Sequence, residues 1–321
     1  MRNTREHELK LEASDGFRLS DLDGLELPSR DFVSTYFDTP DLSLVRNRIT
    51  LRHRAEEGSR LWQLKIPSGA ARIEIEAPGP PAHPPRELLA LLVVHLRGAK
   101  PVRVARLRTR RKTMRTDGAE IVDDSVSVLD GQRVRARFRE LEVELVDDGD
   151  ERTLRRLEKK LLGLGAEVAE FRPKLHRALD LSPFPDRSPL PRDASPQQVV
   201  SAALAEQRVR LLAHDPGTRL ATDPEELHQM RVATRRARAF LRAARPLVDP
   251  EWADELRAEL GWLGSALGPA RDLDVLVDRM RDQISRLGDD GTAVRGLVDG
   301  LERRRRKARA SARAALSEER D

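Results

Sequence analysis

Glu6-His7-Glu8-Leu9-Lys10-Leu11-Glu12 is the stretch from which the first half of the chain is read. Side chains in a strand alternate between faces, so Glu6, Glu8, Lys10 and Glu12 share one face and Leu9 and Leu11 the other. Two carboxylates two residues apart, with a lysine next in line, can hold a hard divalent cation through oxygen and set a positive charge beside it. A solvated edge strand would alternate in the same way, so the weight falls on what later strands carry.

Those strands repeat the device. Thr50-Leu51-Arg52-His53-Arg54 places Arg52 and Arg54 together, and Leu61 to Ile66 sets Gln63 and Lys65 opposite Trp62, Leu64 and Ile66. Arg72-Ile73-Glu74-Ile75-Glu76 alternates again, as do Arg106, Arg108, Arg110 and Lys112. Within Ile121 to Leu129, only one of Asp123 and Asp124 can share a charged face. Phe138 to Leu145 sets Glu140, Glu142 and Glu144 against Leu141, Val143 and Leu145, and Lys174 is a late cation after Phe171-Arg172-Pro173. Tyr36-Phe37-Asp38-Thr39-Pro40 runs into turn chemistry, and helices are expected over Arg86 to Arg97 and Glu151 to Leu162, the second ending at Gly163 or Gly165. A wet sheet face is the plainer reading. Against it, acidic and basic rows are segregated by strand. If about eight such strands close, the charged rows line a polar tunnel and the apolar rows turn outward beneath helices.

The chain has 321 residues, enough for two domains, with 35% charged residues, 3% aromatics, a net charge of +5 and a pI near 9.8. The basic excess favours anionic partners, while the scarcity of aromatics argues against base stacking, so phosphate without bases fits better and no specific nucleic acid is expected. No cysteine is present, which excludes disulfides, thiolate metal sites and cysteine nucleophiles. The charged start is no signal peptide and the apolar run Leu88 to Leu96 is too short to span a bilayer. A cytoplasmic protein with no membrane partner is expected.

Leu181 to Pro196 is rich in proline and reads as a linker. From Gln197 onward the period changes from two to about three and a half, with Asp223-Pro224 and Asp249-Pro250 as helix starts and Gly288 and Gly291 as a helix end. His228, Arg231, Arg235, Arg238, Arg242 and Arg245 are spaced three or four apart and form one stripe beside an apolar stripe of Leu227, Met230, Thr234, Ala237, Leu241 and Ala244. Solvating helix faces usually pair Glu with Arg at i,i+4. No acidic residue lies within this segment, so anion binding is the better reading.

Glu6-x-Glu8-x-Lys10, Tyr36 to Pro40, Leu51 to Arg54, Lys65 and Glu140-x-Glu142-x-Glu144, in that order, resemble the CYTH domain of the triphosphate tunnel metalloenzymes. The resemblance implies an α+β chain: an antiparallel eight-stranded β tunnel over 1–181, a linker over 182–196 and an all-α helical bundle over 197–321. It further implies Mg²⁺ or Mn²⁺ held by Glu6, Glu8, Glu142 and Glu144, with Glu6, Glu8 and Lys10 catalytic. Lys10, Arg52, Arg54, Lys65, Arg108, Arg110 and Lys174 would grip the phosphates, and Glu74 and Glu76 match more loosely. Family members hydrolyse inorganic or thiamine triphosphate or cyclise ATP.

His228 to Arg236 followed by Gly268-Pro269-Ala270-Arg271-Asp272-Leu273-Asp274 resembles the CHAD domain. That resemblance implies a helical bundle binding inorganic polyphosphate through His228, Arg231, Arg235, Arg238 and Arg242. Only the first of the family's two bundles is matched, so a homodimer is one way to rebuild the basic channel, and Arg303 to Lys307 could supplement the site. The leading expectation is a metal-dependent inorganic triphosphatase. The rivals are a non-catalytic polyphosphate binder and a nucleotide-acting tunnel enzyme.

Overall fold

The computed structural model describes the chain except residues 1, 7, 15, 69–70, 147–148, 169–172, 183–189, 287–294 and 319–321, and the side chains of residues 2–6, 8, 71 and 295. The chain divides into two compact units, Met1–Asp186 and Arg187–Asp321. Residues 183–189 of the expected linker, the helix-ending Gly288 and Gly291, and Phe171 and Arg172 lie outside the described residues. No described helix is long and apolar enough to cross a membrane.

The first unit is one antiparallel sheet built from β1 (Arg2–Glu6), β2 (Glu8–Ala13), β3 (Leu25–Asp38), β4 (Thr50–Glu56), β5 (Ser59–Ser68), β6 (Ala71–Pro78), β7 (Val102–Thr116), β8 (Ala119–Asp130), β9 (Arg133–Leu145) and β10 (Ala166–Val168). Their order is β1-β6-β5-β4-β3-β7-β8-β9-β2-β10. One edge begins with β1, paired to β6, while β2, the next segment of the same chain, pairs with β9. The run from Arg2 to Ala13 therefore joins both sides of the sheet and closes it. Counting that run as one strand gives the expected eight, and β10 is an addition alongside β2.

Alternation sorts the two faces. Leu11, Ile121, Leu141 and Val143 turn outward and are covered by Phe17, Leu19 and the helix α4, Glu151–Gly163, through Leu157 and Leu161. The short helices α1 (Ser43–Arg46), α2 (Arg86–Leu89) and α3 (Val93–Leu96) contribute the buried Leu44, Val45, Leu88 and Leu96. The single helix expected over Arg86 to Arg97 is thus two. Leu91 and Leu92 donate to carbonyls only three residues back, at 3.2 and 2.9 Å, so the turn tightens between the two segments while the leucines stay buried. The Tyr36 to Pro40 motif explains itself locally: the buried Asp38 accepts from the backbone N–H groups of Thr39, Leu44 and Val45 at 2.7 to 2.9 Å, fixing α1 at the end of β3.

Inside the barrel, one stretch is apolar. Tyr36, Leu107, Val126 and Val128 pack against Leu175 and Ala178 of α5, Lys174–Leu179. Most of the residues lining the rest of the interior are charged.

The second unit is four helices: α6 (Pro196–Leu220), α7 (Pro224–Ala244), α8 (Pro250–Ser285) and α9 (Arg295–Leu316). Ser195 and Gln198 form a capping box on α6, and Asp223 and Asp249 cap α7 and α8, each followed by proline. Each helix packs on the next and α6 also meets α9. Leu227, Met230, Leu267, Ala270 and Ala312 form the core. Of the two aspartates after Gly268-Pro269, Asp274 is buried and bridged by Arg309 at 2.6 Å, while Asp272 is exposed.

Candidate active site

Facing strands bring the inward rows together in a cavity of about 260 Å³ inside the barrel. Register explains how. Lys10 on β2 is opposite Glu142 on β9, Arg52 on β4 is opposite both Tyr36 and Gln63, and Lys65 on β5 is opposite Glu74 on β6. Among the described residues eight cationic side chains line the cavity against four carboxylates, a surplus of four positive charges.

At its deep side the charges interlock. Lys10 donates to Glu140 at 2.7 Å and to Glu142. Lys174, at the first turn of α5, donates to Glu142 at 2.8 Å and lies 3.0 Å from Asp124. Arg111 grips Asp124 with both arms, at 2.8 and 2.7 Å, and reaches Glu142 at 3.3 Å. Burial alone would raise the Glu142 carboxyl, but Lys10, Lys174 and Arg111 outweigh it and hold it well below the ordinary value. Asp124 is shifted the same way, its burial opposed by Lys174 and Arg111.

The other side of the cavity is richer in cation than in anion. Arg52 donates to Gln63 at 2.8 Å and to the Tyr36 hydroxyl at 3.2 Å, with Glu74 3.9 Å away. Lys65 lies 3.5 Å from the other oxygen of Glu74. Arg54 stacks 3.7 Å over the Phe32 ring and donates to Glu56 at 2.9 Å. Burial, with Arg52 and Arg111 nearby, pushes its guanidinium down to about 10. An anion placed there would relieve that repulsion.

The structure places the expected residues as follows. Lys10, Arg52, Arg54, Lys65, Glu142, Glu144 and Lys174 all line the cavity, as do the loosely matched Glu74 and Glu76. Glu6 and Glu8 are described in backbone only, opposite Arg72 and Glu144 in the strand ladders. Their side chains fall outside the described residues.

Arg108 and Arg110 correct the expectation. Both are exposed on the outer face of β7, and Arg110 pairs there with Asp31 at 3.2 Å. The inward row of β7 is Leu107, Thr109 and Arg111, so Arg111 supplies the cavity's arginine from this strand. The inward partners across the ladder, Leu107 beside Val128 and Thr109 beside Val126, carried that parity in the sequence. Arg30, Arg72, Tyr36 and Gln63 also line the cavity without having been singled out as phosphate ligands.

Among the described residues no group of three or more acidic or histidine side chains is placed to hold a metal ion. The donor chemistry nevertheless fits a hard cation. Glu142 and Glu144 follow one another on the inward row of β9, and Glu8 pairs with Glu144 in the ladder. One oxygen of Glu140, Oε2, is buried without a hydrogen-bond partner. Oxygen donors of this kind suit Mg²⁺ or Mn²⁺.

The second unit holds a larger cleft of about 480 Å³ between α7 and α8. His228, Arg231, Arg235 and Arg238 of the α7 stripe line it, and Arg242 does not, lying one turn beyond. Opposite stand Gly261, Gly264, Ser265 and Arg271 of α8. The glycines fall on one helix face, and a Cβ at Gly261, Gly264 or Gly268 would meet Arg238 at 3.4 Å, Thr234 at 3.7 Å or Arg231 at 2.9 Å. Small residues there make room for the arginine arms. Arg231 has Asp272 at 3.9 Å, whereas His228, Arg235, Arg238 and Arg271 make no hydrogen bond or ion pair among the described residues. Of the expected supplement, Arg305 is committed to Glu302 at 2.9 Å and does not line the cleft.

A closed barrel with a cation-rich interior and inward carboxylates defines a tunnel protein for a polyanion. The CYTH domain model matches residues 4–174 and the CHAD domain model residues 202–321, and the chain belongs to the CYTH family, with a CHAD domain following. The uncharacterized proteins MT2285 and Rv2226 of two Mycobacterium tuberculosis strains are each 34% identical over 308 residues, 86% of this chain. The chain spans only 58% of their length. Among solved structures, bh2851 of Bacillus halodurans aligns at TM-score 0.42 and 19% identity, covering 55% of this chain and 98% of its own. HpAC1 of Hippeastrum, described as having a dominant triphosphatase activity, aligns at 0.39 and 19%, covering 56% and 98%.

Proposed function

We propose that the tunnel hydrolyses inorganic triphosphate with the help of a divalent metal, and that the α7 stripe binds inorganic polyphosphate. The observation that carries the first part is the tunnel's mixed lining. A site that only held a polyanion would need cations alone, yet Glu142, Glu144, Glu74 and Glu76 face the same 260 Å³ space as Arg52, Arg54, Lys65 and Arg111.

In this reading Arg52, Arg54, Lys65 and Arg111 bind the phosphate oxygens, their planar forks or point charge orienting the chain along the barrel. Lys10 and Lys174 keep Glu142 ionised at neutral pH and hold it in place. Glu142 and Glu144, with Glu6 and Glu8, would hold Mg²⁺ or Mn²⁺, which supplies charge neutralisation for attack by water on the terminal phosphorus. The walls of the barrel limit bulk water around the transferring group. The family membership agrees with this reading. Among the described lining residues Tyr36 is the one aromatic, and this scarcity of stacking platforms favours bare triphosphate over a nucleotide.

The test is phosphate release from tripolyphosphate and, in parallel, from ATP, with Mg²⁺, Mn²⁺ or chelator, for wild type and a Glu6→Ala, Glu8→Ala double variant. Release from tripolyphosphate that needs both metal and carboxylates is expected. Turnover of ATP alone would move the assignment to a nucleotide enzyme, and a folded wild type inert on both would leave a binding protein.

A further inference from the structure

One charged row of β7 does not enter the tunnel. Arg106, Arg108, Arg110 and Lys112 alternate with the inward Leu107, Thr109 and Arg111, so they stand on the outside of the barrel wall. The ladders continue that row onto the neighbouring strands. Arg108 lies opposite Ser127 of β8, and Ser127 lies opposite Arg137 of β9. One step along, Arg110, Ser125 and Arg139 repeat the arrangement. Two arginines therefore flank a serine in each row, with the strands about 4.8 Å apart and the rows about 6.8 Å apart.

The second of these rows is ion-paired, whereas the cations around the first are not. Arg110 has Asp31 and Arg139 has Asp123 at 2.7 Å, but Arg106, Arg108, Lys112, Arg133, Arg135 and Arg137 make no hydrogen bond or ion pair among the described residues. All but Arg106, which is half-buried, are exposed. The chain carries 54 acidic residues against 59 basic ones, so partners were not scarce. Like charges facing one another across a sheet repel. A surface on which Asp31 and Asp123 answer only part of the positive charge is complementary to an anion. The serines between them are small and donate hydrogen bonds, which leaves the space between the guanidinium arms open. The strands turn their aromatic Phe138 inward to the cluster with Leu107 and Val126, so the outer rows offer no ring for a base to stack on.

We infer that the outer face of β7, β8 and β9 is a second anion-binding site that takes the chain of a long inorganic polyphosphate, separate from both the tunnel and the α7 cleft. It rests on the phosphate-polymer reading above only for the choice of ligand. Repeated Arg-Ser-Arg rows suit a linear polymer of identical phosphates, which can engage every row without register.

The experiment uses the full chain carrying Arg231→Ala, Arg235→Ala and Arg238→Ala, so that the α7 stripe is silent, and compares it with the same chain carrying Arg108→Ser and Arg137→Ser in addition. The probe is long-chain polyphosphate titrated at several salt concentrations, with thermal unfolding and tripolyphosphate release measured alongside. Residual binding weakened about tenfold by the two serines is expected, and the slope of log affinity on log salt should fall by about one to two. Melting temperature and tripolyphosphate release should not drop, since the two arginines touch neither core nor tunnel. Equal binding by both proteins would overturn the proposal. Competition by duplex DNA as effective as polyphosphate at equal phosphate concentration would overturn it too, by assigning the face to nucleic acid. Because tripolyphosphate release is read separately, failure of the outer site is distinguished from failure of the tunnel reading.

Discussion

The tunnel and the α7 cleft both present arginines to a cavity, yet they are built oppositely. In the tunnel each described arginine is set against a carboxylate, an amide or a ring, and the deep cations are buried with Glu142, Glu140 and Asp124. In the cleft the arginines face glycines, and among the described residues only Arg231 has an acidic partner, at 3.9 Å. A sheet holds its side chains at fixed positions from several strands, which suits placing charge around one reacting group. A helix stripe repeats one charge along a line, which suits a polymer. The difference teaches that arginine content alone does not separate a catalyst from a binder. In the proposed reading, what separates the two is whether carboxylates share the space.

The sharpest way to break the comparison is to remove the carboxylate at the centre of the tunnel. Glu142→Ala leaves Lys10 and Lys174 crowded in a buried site, and a loss of about 3–5 kcal/mol in stability is expected. Glu142→Gln keeps the shape and should still lower tripolyphosphate release about 10²- to 10³-fold. Its pH behaviour follows from the sign of the shift. The Glu142 carboxyl is held well below its ordinary value, so its contribution is complete above the unfolded value and is lost as pH falls through the folded one. Wild type should therefore lose melting temperature steeply below about pH 4.5, and Glu142→Gln less so; parallel curves would contradict the assigned network.

A smaller effect sharpens the inward and outward assignment on β7. Arg111→Ala should lower tripolyphosphate release about 10- to 100-fold, through loss of a charged hydrogen bond to substrate and to Asp124. Arg110→Ala, an exposed residue paired with Asp31, should leave release unchanged and stability within about 0.5 kcal/mol. Steady-state assays on the two variants decide it, and a larger loss in Arg110→Ala would reverse the parity.

The smallest effect tests the glycine face of α8. Gly268→Ala puts a methyl group 2.9 Å from the end of Arg231, a flexible arm that can move aside. Long-chain polyphosphate binding should weaken about two- to threefold, while helix propensity favours alanine by about 1 kcal/mol. Unchanged affinity with raised stability would show that the glycine is not needed for the arginine's position.

Much of this was legible in residues of strict period. Lys10, Arg52, Lys65 and Glu142 each alternate with apolar neighbours that need cover, so their inward direction followed from the sequence. β7 misled because its outer face is exposed at Arg108, Arg110 and Lys112, so nothing forced apolar residues outward there and charge ceased to mark the inside. Asp124 rather than Asp123 was fixed only by pairing with Arg111, a long-range contact that a strand's own pattern does not encode. The α7 stripe was visible from spacing, but its opposite wall was not. Nothing in the period of α8 marks Gly261 and Gly264, whose place against Arg238 and Thr234 is set by the packing of α8 on α7.

The measurement that bears most directly on the account is tripolyphosphate release with Mg²⁺ by three full-length proteins: wild type, Arg52→Ala with Arg111→Ala, and Arg231→Ala with Arg235→Ala and Arg238→Ala. The account expects the tunnel variant to lose about 100-fold or more while the stripe variant stays close to wild type and loses long-chain polyphosphate binding instead. Equal loss in both variants, or release untouched by the tunnel substitutions, would contradict the assignment of catalysis to the tunnel.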